Sequence, residues 1–290
     1  MEVLIPILAA AVRSGTPILY ATLGEILTER SGVQNLGLEG LMLMGAFMGF
    51  SVTHATGNPW LGVVAAFVTG AAISLVHAFL SVSIGANQVV SGLAVAMFGT
   101  GASALLGRKM VGLTVTGFGK IPVPVLSGIP VIGPVFFDHD PLVYISYGLA
   151  FFLYWFIFHT RPGLNLRAVG ESPIVVDAMG LSAARLRYVY TLVGGGLAAV
   201  GGSYLSLAYT KMWSEGMSAG RGWIAVALVI FALWNPVRAI LGSYLFGGVG
   251  AMQLRIQAAG TSFPAPILMM MPYIFTILVL LVKKKKKGKG

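Results

Sequence analysis

The sequence predicts an all-α fold, a polytopic transmembrane helical bundle of about nine spans (eight to ten by where short helices break) with one short helix too small to span. Three observations predict it. Of 290 residues, 57% are hydrophobic and only 10% are charged, and mean hydropathy is +0.86. Several apolar stretches approach or exceed the ~20 residues that cross a bilayer. No stretch shows the weak alternation of an outer-membrane barrel strand. A single membrane domain, residues 1–282, accounts for nearly the whole chain, with 283–290 as a basic tail.

Formal net charge is +10, but Lys283–Lys287 and Lys289 supply six of the 19 basic residues. Without them, 13 basic residues face nine acidic ones. The tail therefore reads as a cytoplasmic anchor beside anionic headgroups and not as a nucleic-acid site. Nine spans counted back from an internal tail put the N-terminus outside. The absence of cysteine excludes disulfides and thiolate metal sites. The first apolar run has no basic segment before it, so no cleaved signal peptide is expected.

The first span covers about residues 3–27 and contains Arg13 between Pro6 and Pro17. A mid-membrane arginine costs roughly 2.5–3.5 kcal/mol on insertion scales, so it either faces protein or water or snorkels from a helix end. Ser31–Gly40 then leads into an apolar helix ending near residue 53. Its three glycines with Gln34, Asn35 and Glu39 allow irregular backbone, which persists at membrane depth only where protein or a cavity covers it. Asn35 and Glu39, four apart, could share a helix face. The stretch reads either as a lining for a solute path or as a polar headgroup-level loop.

Asn58-Pro59 makes a turn into the third span, residues 60–84. Gly62, Ala66, Gly70 and Ser74 recur at steps of four there, a stripe for close helix packing. His77 on that helix reads as a packed, hydrogen-bonded residue. The fourth span opens on Asn87, Gln88 and Ser91, which can cap the helix or face a polar solute. Residues 107–141 form a long Gly/Pro-rich connection, expected outside and either functional or disordered. Its Gly119-Lys120 is not a phosphate loop, because position 114 is Thr and Ile121 follows the lysine.

The fifth span, residues 142–159, is aromatic, with Trp155 nearest the inner belt. A polar island follows, residues 161–187. Ser172 reads as an N-cap, Pro173 as the first helical residue and Gly180 as a left-handed stop, giving a helix of about two turns between Glu171 and Ser182. Arg161, Arg167, Arg185 and Arg187 mark this side as cytoplasmic. The helix suits either an interfacial loop or a handle for a soluble partner. The sixth span, 188–209, carries Gly194, Ala198, Gly202 and Ser206 at steps of four. Lys211–Gly222 follows with Trp213. Its Gly216-Met217-Ser218-Ala219-Gly220 spells G-x-S-x-G, but no histidine lies beyond His159 to complete a hydrolase triad. A short seventh span stops at Trp234-Asn235-Pro236, and the eighth and ninth cover 239–256 and 266–282.

Leu166–Gly180 resembles the coupling loop of ABC importer permeases of the branched-chain amino acid, ribose and nucleoside superfamily, which often carry R-A-x-G-E-x-P-x-A-A-x-x-x-G. Arg167, Ala168, Gly170, Glu171, Pro173 and Gly180 match, with Val176-Asp177 in place of the paired alanines. Thr16–Gly45, Ala86–Gly92 and Gly216–Gln257 are similar to the nucleoside-type members linked to basic membrane proteins. The resemblance implies a permease without catalytic residues, bound metal or cofactor of its own. ATP and magnesium would sit on a partner ATPase, docked on Gly170, Glu171, Ser172, Pro173, Asp177 and Gly180. It further implies a second, related permease subunit and an external solute-binding protein. Asn35, Glu39, Asn87, Gln88, Ser91 and Trp213 are the expected path residues. A pentose-type sugar permease, an ATP-independent facilitator and a non-transporting membrane subunit are the alternatives.

Overall fold

A computed structural model describes residues 4–258, 270 and 274. Eleven α-helices lie among them: α1 (Leu4–Arg30), α2 (Leu38–Thr56), α3 (Pro59–Ala78), α4 (Gln88–Gly107), α5 (Ile132–Phe136), α6 (Pro141–His159), α7 (Arg161–Glu171), α8 (Pro173–Ala178), α9 (Ala183–Tyr204), α10 (Arg221–Ala232) and α11 (Pro236–Ala258). Single π turns, Phe79–Ser83 and Leu205–Tyr209, prolong α3 and α9. Two-residue strands β1 (Ile121–Pro122) and β2 (Asp138–His139) pair antiparallel, Ile121 opposite His139.

The first eight predicted spans coincide with α1, α2, α3, α4, α6, α9, α10 and α11. By length and composition, α1, α3, α4, α6 and α9 are able to cross a membrane, whereas α10 is apolar but short. The ninth predicted span and the lysine tail lie outside the described residues.

Small residues decide which helix is central. The apolar window of α9 is 83% buried, against 28% for α3, so α9 is the axis and α3 a peripheral neighbour. Glycines on different sides of α9 meet different partners. A methyl on Gly194 would overlap Gly24 and Thr28 of α1, one on Gly202 the Met42 carbonyl of α2, and one on Gly195 the Ser74 side chain of α3. The predicted stripe Gly62, Ala66, Gly70 and Ser74 is the buried side of α3. The predicted α9 stripe is buried too, but it faces α1 and α2, and Gly195 and Ala199 are the residues that meet Gly70.

The long Gly/Pro-rich connection is ordered and covers one end of this axis. Phe118 N donates to Leu207 O at 2.9 Å, and Val115 N to Lys211 O at 3.1 Å. Lys120 pairs with Asp138 at 2.6 Å, and Tyr144 Oη donates to Ile121 O at 2.8 Å. Asp140 caps α6 by accepting from Leu142 N and Val143 N, and its other oxygen accepts from Tyr204 Oη at 3.3 Å.

Candidate functional site at two helix starts

Residues 32–40 do not stay at the end of α1. They run back alongside α4: Gln34 N donates to Gln88 Oε1 at 2.8 Å, Leu36 lies against Gly92, Gly37 against Val95, and Gly40 against the backbone of Val95, Ala96 and Gly99. Seven to eleven residues of α4 correspond to roughly 10–16 Å of rise, so α2 begins well inside the bundle. The glycines make this possible, since side chains at Gly37, Gly40, Gly92 or Gly99 would collide with the facing backbone or with Val95.

α10 begins at the same place. Gly222 sits against the backbone of Glu39, and the 12 residues of α10 return roughly 18 Å to the end of α1. At that end, Leu233 and Trp234 take left-handed backbone (φ 55° and 53°), Trp234 Nε1 donates to Glu29 Oε2, and Arg30 Nη2 donates to Trp234 O at 3.4 Å. α2 and α10 are thus discontinuous elements that start face to face.

Glu39 joins them. Its Oε1 accepts from Ser218 Oγ and from Gly220 N at 2.9 Å, and its Oε2 accepts from Gly222 N at 2.8 Å. The first N–H groups of a helix lack internal partners, and a carboxylate there gains from both charge-assisted hydrogen bonding and the helix dipole. Because Glu39 also lies in the first turn of α2, one carboxylate serves two helix starts. A second polar knot lies below it: Glu25 Oε1 accepts from Asn35 N, and Asn35 Oδ1 from Gly37 N, both at 2.8 Å. Glu25 and Asn35 are fully buried, and Glu25 Oε2 and Asn35 Nδ2 have no protein partner. Two helix starts and one carboxylate thus meet inside the bundle.

The branched-chain amino acid transport system permease component profile matches residues 7–281. The chain belongs to this permease family. The permease is 33% identical to the guanosine ABC transporter permease protein NupQ of Bacillus subtilis, covering 97% of this chain and 92% of that one. It is 34% identical to the nucleoside ABC transporter permease protein NupC of Lactococcus lactis, over 91% and 88% of the two chains. It is 43% identical to TsgC13 of Haloferax volcanii, whose name assigns it to glucose ABC transport, over 87% and 78%. A solved inward-facing ABC transporter of metal-chelate type shares the fold, with TM-score 0.50 at 15% identity over 96% of this chain and 85% of that one. The protein is therefore a multi-pass membrane permease subunit of an ABC importer, and the relatives named here are transporter components.

The predicted path residues of the permease fall into different settings. Glu39 is the clasp. Asn35 precedes α2, so it shares no helix face with Glu39 as the four-residue spacing suggested, and its backbone bonds to Glu25 instead. Asn87 caps α4, accepting from Val89 N and Val90 N. Gln88 holds the rising segment through Gln34 N and Gly32 O. Ser91 Oγ lies 2.9 Å from His77 Nδ1, whose Nε2 is 3.1 Å from Gln34 O, so the packed reading of His77 holds. Trp213 is 1% exposed, wedged against Gly107 and edge-on to Phe47.

The polar island is more helical than its sequence suggested. α7 precedes α8, and Thr160 Oγ1 caps it by accepting from Gly163 N at 3.1 Å. Ser172 occupies the cap position of α8, but its side chain makes no cap bond, a correction to the predicted N-cap. Gly180 takes φ +80° as a stop requires, and Ser182 caps α9 through Arg185 N. Asp177 Oδ1 accepts from Ala183 N at 2.8 Å, fixing the turn from α8 into α9. Val176 is buried with Val169 and Ala183, whereas Ile174 and Met179 are 81% and 69% exposed. Glu171 is exposed at the hinge between α7 and α8, and Gly170 abuts the Arg30 carbonyl. The end of α7 therefore touches the end of α1, which holds the end of α10.

Proposed function

We propose that this permease carries nucleosides across the membrane in an ATP-driven importer, with Glu39 and the two helix starts at the solute-binding depth. The two nucleoside-named relatives at 33–34% identity over most of both chains carry the substrate reading. The clasp of Glu39 by Ser218, Gly220 and Gly222 supports the location, since it unites two stretches that resemble nucleoside-type permeases. Asn87, Gln88 and Ser91 stand at the inner end of the same segment. A sugar is the second reading, favoured by the 43% identity to TsgC13.

In this proposal the chain makes nine spans, with the N-terminus outside and the lysine tail in the cytoplasm. α7 and α8 form the cytoplasmic coupling element, and a separate ATPase, which holds ATP and magnesium, docks on the exposed apolar side of α8. Glu171, Pro173 and Gly180 orient, start and end that helix, and Asp177 ties it to α9. The contact sequence Gly170–Arg30–Trp234 is a short mechanical route from α8 to α10 and so to Glu39. A second permease chain and an external solute-binding protein complete the assembly.

The test is uptake into liposomes that contain this chain with its ATPase, partner permease and binding protein. Labelled nucleosides are compared with glucose and a pentose, with and without ATP. ATP-dependent nucleoside uptake is the expected result. ATP-dependent sugar uptake alone would replace the substrate, and uptake without ATP would remove the coupling role of α8.

A further inference from the structure

The connection between α4 and α6 carries a run of 17 residues, 121–137, without a single charge, and Ser127 is its only polar side chain. The charged residues that bracket the run, Lys120 and Asp138, pair with each other. Beyond that pair the chain forms a flap. Its stem is β1 and β2, extended by Val123 N donating to Phe137 O at 3.0 Å. Its tip, residues 124–136, closes on itself, with Gly133 against the Ser127 carbonyl and Gly133 N donating to Ile129 O at 2.9 Å. The closed tip leaves apolar side chains outside: Val125 (87% exposed), Leu126, Ile129, Ile132 and Phe136.

The backbone of the tip is strained. Leu126 N donates to Pro124 O around Val125 (φ 68°, ψ −49°), and Ile132 N to Pro130 O around Val131 (φ 69°, ψ −58°), both at 2.8 Å. These are γ-turns of the rare hand, and each holds a β-branched residue at positive φ. A turn facing water gains from glycine or asparagine at such a position, which relieves the backbone and exposes nothing apolar. Valine is the worse choice on both counts unless the surroundings are themselves apolar.

The flap also sits at the depth where they are. α1 is 27 residues long, roughly 40 Å, against about 30 Å of bilayer hydrocarbon. With Glu29 and Arg30 at one boundary, the other falls about 20 residues back, near Ala10. The inner side of α5 packs at that level: Val135 shares a core group with Val12, and Ile5 packs against the same group. The spans that hold the flap are exposed and apolar at this end too, with Leu4 and Leu8 on α1 and Ile145 on α6. Tyr144 Oη ties the stem to α6, donating to Ile121 O and accepting from His139 N.

We propose that residues 121–137 form a lipid-facing flap, immersed at the hydrocarbon boundary of the leaflet on the side away from α7 and α8, with Val125, Ile129 and Ile132 against acyl chains. A run without charge offers nothing to an acidic or basic protein surface, and it has no Trp, Tyr or Arg, the residues that anchor protein interfaces. The exposed apolar surface of the spans continues onto it instead. Because Phe118 N bonds to Leu207 O at the base of the flap, the flap holds that end of α9 at the membrane surface.

The chain has no cysteine, so a single introduced cysteine carries a nitroxide label at one known place. Val125→Cys and Ile132→Cys are compared with Phe151→Cys, exposed within α6, and with Lys109→Cys, exposed beyond α4. Each labelled permease is reconstituted in liposomes with its ATPase and partner permease. Collision of the label with oxygen, which concentrates in hydrocarbon, is measured against collision with a water-soluble nickel chelate. The two flap sites are expected to show an oxygen-to-nickel ratio several-fold above that of Lys109→Cys and close to that of Phe151→Cys. Adding the solute-binding protein should leave the ratio unchanged. Nickel access equal to that at Lys109→Cys would put the flap in water and overturn the inference. Low access to both reagents, the mark of a site covered by protein, would overturn it as well. So would nickel access that is lost only when the binding protein is added, the mark of a landing surface for that protein. None of these outcomes bears on which solute is carried.

Discussion

Where α3 crosses α9, backbone meets backbone; where α2 meets α10, a carboxylate stands between them. The first contact has glycine opposite glycine, Gly70 against Gly195, with Ser74 and Ala199 closing it. It is tight and tolerates no added volume. The second contact also brings Gly222 against the Glu39 backbone, but it adds hydrogen bonds to the Glu39 carboxylate and joins two helix ends instead of two helix sides. Close-packed interfaces resist deformation because any shift forfeits many small contacts at once. An interface of three or four hydrogen bonds can exchange partners, with water or a polar solute replacing a protein donor. The bundle therefore has a fixed axis and one adjustable junction, which suits a transporter that must open a path without losing its fold.

The largest expected effect comes from breaking the fixed side. Gly45→Val would drive a side chain into the Ala199 backbone, and overpacking of this kind costs about 3 kcal/mol. Thermal unfolding of the purified permease in detergent should show a clear fall in midpoint. An unchanged midpoint would mean that α2 can slide on α9, contrary to a rigid axis.

Glu39→Gln tests the adjustable side. One oxygen remains an acceptor, but an amide group now faces a helix-start N–H, at a cost of about 1–3 kcal/mol. Uptake is expected to fall at least tenfold, with a smaller loss of thermal stability than for Gly45→Val. The reverse order, a large stability loss with normal uptake, would make the clasp purely structural.

Glu171→Ala combined with Pro173→Gly probes the surface of α8. These residues lie at the hinge away from the main core, so stability should fall by no more than about 1 kcal/mol, most of it from exchanging proline for glycine. Co-purification of the ATPase should weaken. Undiminished co-purification would take the docking role away from α8.

The smallest effect concerns the ordered cover over the axis. Burial holds the His139 imidazole below its ordinary value of 6.5, and its Nδ1 has no partner. Protonation would leave a buried donor unmet, so the neutral form is the one that fits. The stability this provides is present above pH 6.5 and is lost progressively as pH falls below it, down through the lowered folded-state pKa. Burial holds the neighbouring Asp140 carboxyl above its usual range, which acts in the opposite sense. The difference between wild type and His139→Gln isolates the histidine. Its unfolding midpoints should diverge between pH 7 and pH 5.5, and parallel curves would place His139 in contact with solvent.

Much of the fold was legible in the sequence because its signals are local. The apolar lengths marked eight of the observed helices, and the step of four from Gly62 to Ser74 marked a buried side. Gly180, Asn58 and Ser182 act at the positions their residue types suggest. The site was legible only in part. Glu39 stood out as a charge among glycines, but its partners lie about 180 residues away, in a string whose G-x-S-x-G spelling pointed to chemistry it does not perform. Trp213 is buried in this structure, and an indole near a polar turn carries no sign in the sequence of which way it faces. Arg30 marked a helix end and Trp234 a stop, but that the two meet could not be read, since the contact joins segments about 200 residues apart.

The sequence by itself determined that the chain is a membrane bundle, roughly where eight of its helices lie, and which glycines permit close approach. Hydropathy and φ preference are properties of neighbouring residues and need no third dimension. Only the tertiary structure decided that residues 32–40 climb back along α4, that α2 and α10 start at one point, and that a carboxylate from the first turn of α2 caps the start of α10 there. Those outcomes depend on which backbone groups remain unpaired once the helices have packed, and that is settled between segments far apart in the chain.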